Sequence, residues 1–282
     1  MKTKILFPAI ILMSALLPVG AQAQVIAYEG FTQGTGNPAL AGYFGSSSVG
    51  LSGSWAQVGG GQAMTIVDGV GTHWGNIQPN WPTAEHTAWN QSQYSIPMTS
   101  TIDFSGDGTY YLSYILQTDQ ADNGSEVGFI DSANTSELVA GDGYSGAANK
   151  GITAFYASVG GSVQQNGNGT YLAGGWTGAM RQYQAVAEFT KSSGDLQVIL
   201  NYYLGSYATA GGVATTTRTV DLGAVSDTFN ALTLKADGWE DIDEITVGNT
   251  LADVITPVPE PSIAALGGLG LLLLLKRKSF VR

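Results

Sequence analysis

Cysteine is absent from the 282 residues. That removes disulfides, thiolate nucleophiles and thiolate metal sites together. Cations are scarce: between positions 24 and 256 only Lys150, Arg181, Lys191, Arg218 and Lys235 are basic, against 21 carboxylates, a net charge of −16. A surface of that sign repels phosphate backbones and anionic lipid, which argues against nucleic-acid partners. It suits a chain kept soluble by its own charge, or one that gathers divalent cations. Gly-x-Ser-x-Gly is missing, as is any glycine-rich loop ending in Lys-Ser or Lys-Thr, which argues against serine acyl transfer and a phosphate cradle. No long stretch carries the 3.6-residue apolar period of an amphipathic helix.

Glycine, by contrast, supplies 39 residues, about twice its usual share. With Ser, Thr and Asn it separates short runs of β-branched and aromatic residues that alternate with a period of two. Such runs predict strands at 25–29, 63–67, 94–104, 109–117, 126–130, 151–156, 182–190, 196–204, 231–235 and 242–247. The clearest pair is 183–190 with 196–203, joined through Lys191-Ser192-Ser193-Gly194-Asp195, a hairpin connection of ordinary length. Tyr183, Ala185, Ala187 and Phe189 share one face of the first strand, and Val198, Leu200 and Tyr202 one face of the second. About ten strands with one buried face each predict an all-β fold, a jelly-roll β-sandwich of two antiparallel sheets. Residues 24–256 are enough for one such domain.

Both ends read as addresses. Lys2 and Lys4 precede an apolar stretch at 5–19 and a small-residue site at Ala21-Gln22-Ala23, the pattern of a secretory signal over 1–23 that leaves Gln24 as the mature N-terminus. Residues 257–282 hold Pro257-Val258-Pro259-Glu260-Pro261, a 13-residue apolar run at 263–275, and Lys276-Arg277-Lys278. As a helix the run reaches roughly 20 Å, short of a hydrocarbon core about 30 Å thick. The three cations hold the tail on the cytoplasmic side, leaving the rest of the chain beyond the membrane.

Val258-Pro259-Glu260-Pro261, the apolar run and Lys276-Arg277-Lys278, in that order, resemble the PEP-CTERM sorting signal of Gram-negative bacteria. The resemblance implies a short transmembrane helix held transiently in the inner membrane. An exosortase, acting with the secretion machinery, would recognise the signal, cut near Pro-Glu-Pro and pass the protein to the cell surface or extracellular matrix. A plain C-terminal anchor is the alternative.

Tyr28-Glu29-Gly30-Phe31, Gly53-Ser54-Trp55 and Ile242-Asp243-Glu244-Ile245-Thr246-Val247-Gly248, in that order, resemble the concanavalin A-like, or laminin-G-like, jelly rolls, whose first and last strands pair near each other. Five carboxylates fall within residues 237–244, and oxygen ligands gathered on a turn are what Ca²⁺ needs. The resemblance implies a structural calcium with Asp243 and Glu29 among its ligands; a solvated acidic turn is the alternative. Glu240, Asp241, Asp243 and Glu244 do not reproduce the Glu-x-Asp-x-x-Glu strand of laminarinase-type glycoside hydrolases, so hydrolase or lyase activity is not expected and the chain reads as a non-enzyme. A second cluster holds Trp74, Trp81, His86 and Trp89 among Asn76, Asn80, Glu85 and Asn90. Aromatic faces stack on sugars while amides and carboxylates bind hydroxyls, so this stretch, read as a loop, is the candidate carbohydrate site, with extracellular polysaccharide as the partner. Indoles that merely close one end of the sandwich are the alternative. The function expected is that of an exported surface or matrix protein, or a calcium-dependent carbohydrate-binding module.

Overall fold

A computed structural model describes residues 25–31, 38–45, 48–61, 63–67, 83–118, 124–144, 150–158, 164–165 and 181–255. The signal residues Ala21, Ala23 and Gln24, the tail with its expected membrane helix, and Trp74 and Trp81 lie outside them. The described chain is built of strands: β1 (Val25–Glu29), β2 (Ala56–Gly60), β3 (Thr65–Val67), β4 (Thr83–Asp103), β5 (Gly108–Thr118), β6 (Gly124–Ile130), β7 (Ser136–Tyr144), β8 (Lys150–Ser158), β9 (Gln164–Gln165), β10 (Arg181–Ser192), β11 (Asp195–Leu204), β12 (Thr216–Ala224) and β13 (Thr228–Gly248). One short helix, α1 (Leu251–Ile255), follows. No helix among the described residues is long and apolar enough to cross a membrane.

Every strand pairing is antiparallel. β12, β11, β10 and β5 lie side by side and meet the C-terminal half of β13, which β1 flanks on its other edge. The N-terminal half of β13 joins β6, β7, β8 and β9, with β4 along its free edge. The two layers are thus hydrogen-bonded through one strand of 21 residues, and the main core lies between them. This is the expected all-β, two-sheet sandwich, and its first and last strands pair as expected, Glu29 opposite Ile245.

Period-two alternation produces the core directly. Leu112, Tyr114 and Leu116 of β5, with Tyr183, Ala185, Ala187 and Phe189 of β10, turn into the main cluster. Ser113, Ile115 and Gln117 face the other way, where α1 and the 205–214 connection cover part of the sheet: Ser113 Oγ donates to the Val254 carbonyl at 2.9 Å, and Tyr207 packs on Ile115. The β10–β11 hairpin is tighter than expected. Ser192 pairs with Asp195, so only Ser193 and Gly194 turn, at φ 56° and 94°. Two successive positive φ angles match the right-handed twist of the flanking strands, which is why glycine stands there.

Two strands expected separately, 231–235 and 242–247, are one. Bulges at Ala236/Gly238 and between Asp243 and Thr246 break the alternation without ending β13. β7 and β12 carry too much Gly, Thr and Asp for a clear strand signature, and their pairing comes from their neighbours.

Candidate functional site

The acidic run at 237–244 is strand, not turn. It lies between β4 and β5, with β10 beyond β5, and its register places distant residues in rows. Ile242, Leu116 and Tyr183 form one row, and all three belong to the main core. The adjacent row is Asp241, Gln117 and Gln182. Cross-strand partners share a face, so this polar row stands on the side of the sheet away from the core.

All three polar residues are buried: Gln117 fully, Asp241 at 2% exposure and Gln182 at 5%. Gln117 Nε2 approaches Asp241 Oδ2 at 3.4 Å. Gln117 Oε1 and both amide atoms of Gln182 have no hydrogen-bond partner. A buried polar atom left unpaired costs about 1–3 kcal/mol, so a row holding three such atoms carries hydrogen-bonding capacity that the described residues do not meet. Neither glutamine was a sequence candidate. The available signal was a polar residue at the end of each alternating run, Gln117 and Gln182, where the face being read was the apolar one.

β4 brings part of the aromatic segment alongside. His86 stands opposite Glu240, which in turn stands opposite Thr118, and Asp241 stands opposite Glu85. Residues from 83 onward, His86 and Trp89 included, are therefore strand rather than the loop expected, and the backbone juxtaposes them with the acidic run.

Glu29 and Asp243 are both fully buried, but on different faces. Glu29 pairs with Ile245 of the main core, whereas Asp243 pairs with Ile115 of the outer cluster. The bulge at Glu244, φ 53°, switches the parity between them. Glu29 accepts from the Phe31 amide at 2.9 Å through Oε1, and through Oε2 from Ser48 Oγ at 2.9 Å and Trp55 Nε1 at 3.3 Å. Burial pushes its carboxyl above the usual value, against those hydrogen bonds. Asp243 accepts the Glu244 amide through Oδ1 at 2.8 Å, while Oδ2 has no partner. Burial raises its carboxyl well above the ordinary range, and the charge of Glu244 adds to the effect.

This geometry does not fit the expected calcium. Ca²⁺ takes six to eight oxygens, yet both Glu29 oxygens are committed to donors and Asp243 offers a single unclaimed one. Among the described residues no group of three or more His, Cys, Asp or Glu could hold a metal.

No protein-family model matches the chain, and no curated protein matches it. Solved structures do. The metal-free Emp46p carbohydrate recognition domain matches at 9% identity over 67% of this chain and 88% of its own, TM-score 0.37. The VIP36 exoplasmic/lumenal domain, in its Ca²⁺/Man3GlcNAc-bound form, matches at 11% identity over 73% and 86%, TM-score 0.32. A β-1,3-glucanase from Mycobacterium marinum matches at 10% identity over 80% and 99%, TM-score 0.37. The likeness is one of fold, and nothing in it speaks to exosortase sorting. The expectation of a non-enzyme is corrected by this set, in which β-glucanases and a glycosyl hydrolase family protein stand beside lectin-type domains.

Proposed function

We propose that this chain is an exported carbohydrate-recognition sandwich whose candidate polar site is the buried Gln182–Gln117–Asp241 row, flanked by the β4 segment that carries His86 and Trp89. The observation that carries the reading is the set of three unpartnered amide atoms, Gln117 Oε1 and both ends of Gln182, fixed on adjacent strands. Sugar hydroxyls both donate and accept, so one ring edge can satisfy an amide oxygen and an amide nitrogen together. Rigid strands hold these groups without an ordering cost at binding. The net charge of −11 favours neutral or cationic glycans over acidic ones.

Delivery rests on the tail residues alone: Val258-Pro259-Glu260-Pro261 for recognition by an exosortase and Lys276-Arg277-Lys278 for transient retention, ending at the cell surface or in the matrix. Sequencing the mature C-terminus tests that part, since an intact Lys276-Arg277-Lys278 on the exported protein overturns it.

The recognition reading is tested on a glycan array with wild type, Gln117→Ala and Gln182→Ala. Binding to at least one neutral glycan, weakened about tenfold by either variant, supports it. Silence on the array, or binding indifferent to both substitutions, removes it. Reducing-end release from the bound glycan would move the reading from recognition to hydrolysis.

A further inference from the structure

At the other end of β10 the sheet holds a second polar constellation. Thr190 stands opposite Gln197, which stands opposite Asp221, and Ser192 stands opposite Asp195. These five residues, with Gly223, line a cavity of about 450 Å³, within the roughly 300–1,000 Å³ of small-molecule pockets. The dent has a local cause. Between Leu196/Gly223 and Gln197/Asp221 the register shifts, Gly223 takes φ 67°, and Leu222 turns into the core at 1% exposure. A glycine bulge bows the edge strand and leaves Asp195 and Asp221 facing the same space.

The lining is unequally satisfied. Gln197 Nε2 donates to Asp221 Oδ1 at 2.8 Å, which fixes the Asp221 carboxylate and leaves Gln197 Oε1 and Asp221 Oδ2 to a ligand. Thr190 is ordered by Thr109 at 3.0 Å and Glu188 at 3.1 Å. Among the described residues no cation pairs with Asp195 or Asp221. The cavity thus presents two uncompensated carboxylates, an amide oxygen and two hydroxyls, an acceptor-rich set that calls for a ligand with several hydroxyl donors and one positive charge.

We infer that this cavity is a subsite for an amino sugar with a free ammonium group, the ammonium between Asp195 and Asp221 and the ring hydroxyls on Gln197, Ser192 and Thr190. Ammonium–carboxylate hydrogen bonds are about twice as strong as neutral ones, and N-acetylation removes the charge. The inference rests on the carbohydrate reading above but not on its site. Gln182 and Thr190 are eight residues apart on one strand, about 26 Å at the strand rise, so one chain would hold a polysaccharide at two points.

Titration calorimetry of the purified chain with glucosamine, N-acetylglucosamine and glucose tetramers tests it. The glucosamine tetramer should bind about tenfold tighter than the other two. Its binding should weaken about tenfold in Asp195→Asn/Asp221→Asn and on raising salt from about 0.05 to about 0.5 M. Both aspartates are exposed, so the double variant should fold, and an unchanged thermal midpoint establishes that. Equal binding of the N-acetylated tetramer, or full binding by the folded double variant, overturns the subsite. Loss of neutral-glycan binding only in Gln117→Ala, with the double variant unaffected, leaves the first reading and removes this one. Failure of wild type to bind any of the three, together with a silent array, overturns both.

Discussion

The indole Nε1–H of Trp55 donates to Oε2 of Glu29 at 3.3 Å, across 26 positions of sequence. With the Ser48 hydroxyl and the Phe31 amide on the same carboxylate, it ties the segment after β1 to the start of the sandwich. Trp55 stacks on Phe31 at 6.0 Å, so the carboxylate and the aromatic pair close this corner together.

That arrangement predicts the effect of Glu29→Gln. Glutamine keeps the volume but presents an NH₂ group where donors converge, leaving one of them facing another donor. A loss of about 1–3 kcal/mol is expected in urea unfolding at neutral pH, with a change in Trp55 fluorescence. Unchanged stability would show that the three bonds contribute nothing net.

Stability should also fall as pH rises. Glu29 and Asp243 have carboxyls raised in the fold by burial, the latter well above the ordinary range. The folded chain therefore holds their protons more tightly than the unfolded chain does. Their contribution is full below the ordinary carboxylate value and is lost as pH rises through the raised one. Asp243→Asn should melt higher than wild type at neutral pH, the gap closing as pH falls to about 4. A gap that widens on acidification would reverse the assignment.

Calcium should change little. With Glu29 committed to three donors, millimolar Ca²⁺ or chelator is expected to shift the melting midpoint by less than about 1 °C; a bound ion would raise it by several degrees. A rise of that size on adding calcium would restore the metal reading for Asp243.

Lys235 sits between two carboxylates, 2.7 Å from Glu137 and 3.8 Å from Glu126. Burial already pushes Glu126 upward, and Lys235 opposes it. Lys235→Met leaves both acids without their cation and should cost about 3 kcal/mol near neutral pH. Adding Glu126→Gln should recover part of the loss. If the double variant is no better than the single, lost packing on Phe155, 5.4 Å from the ammonium, is the cause instead.

The strands were legible because alternation is local. Residues 25–29 were read with both bounds as observed, and 196–204 misses β11 by one residue. β13 was split in two because its bulges shift the parity at Ala236/Gly238 and at Glu244, and a period cannot be followed through a change of phase. The aromatic segment was taken for a loop because its second half, β4 from Thr83, has no clean alternation; its pairing with β13 makes it strand.

By itself the sequence determined a cysteine-free, acidic, all-β chain, since composition and short-range period carry that information. Only the tertiary structure decided which side chains meet. Gln117 and Asp241 are 124 positions apart, and a register slip of one residue would turn either to the opposite face. The same long-range pairing separated Glu29 from Asp243, put Gln182 beside Gln117, and set Asp195 and Asp221 around one cavity.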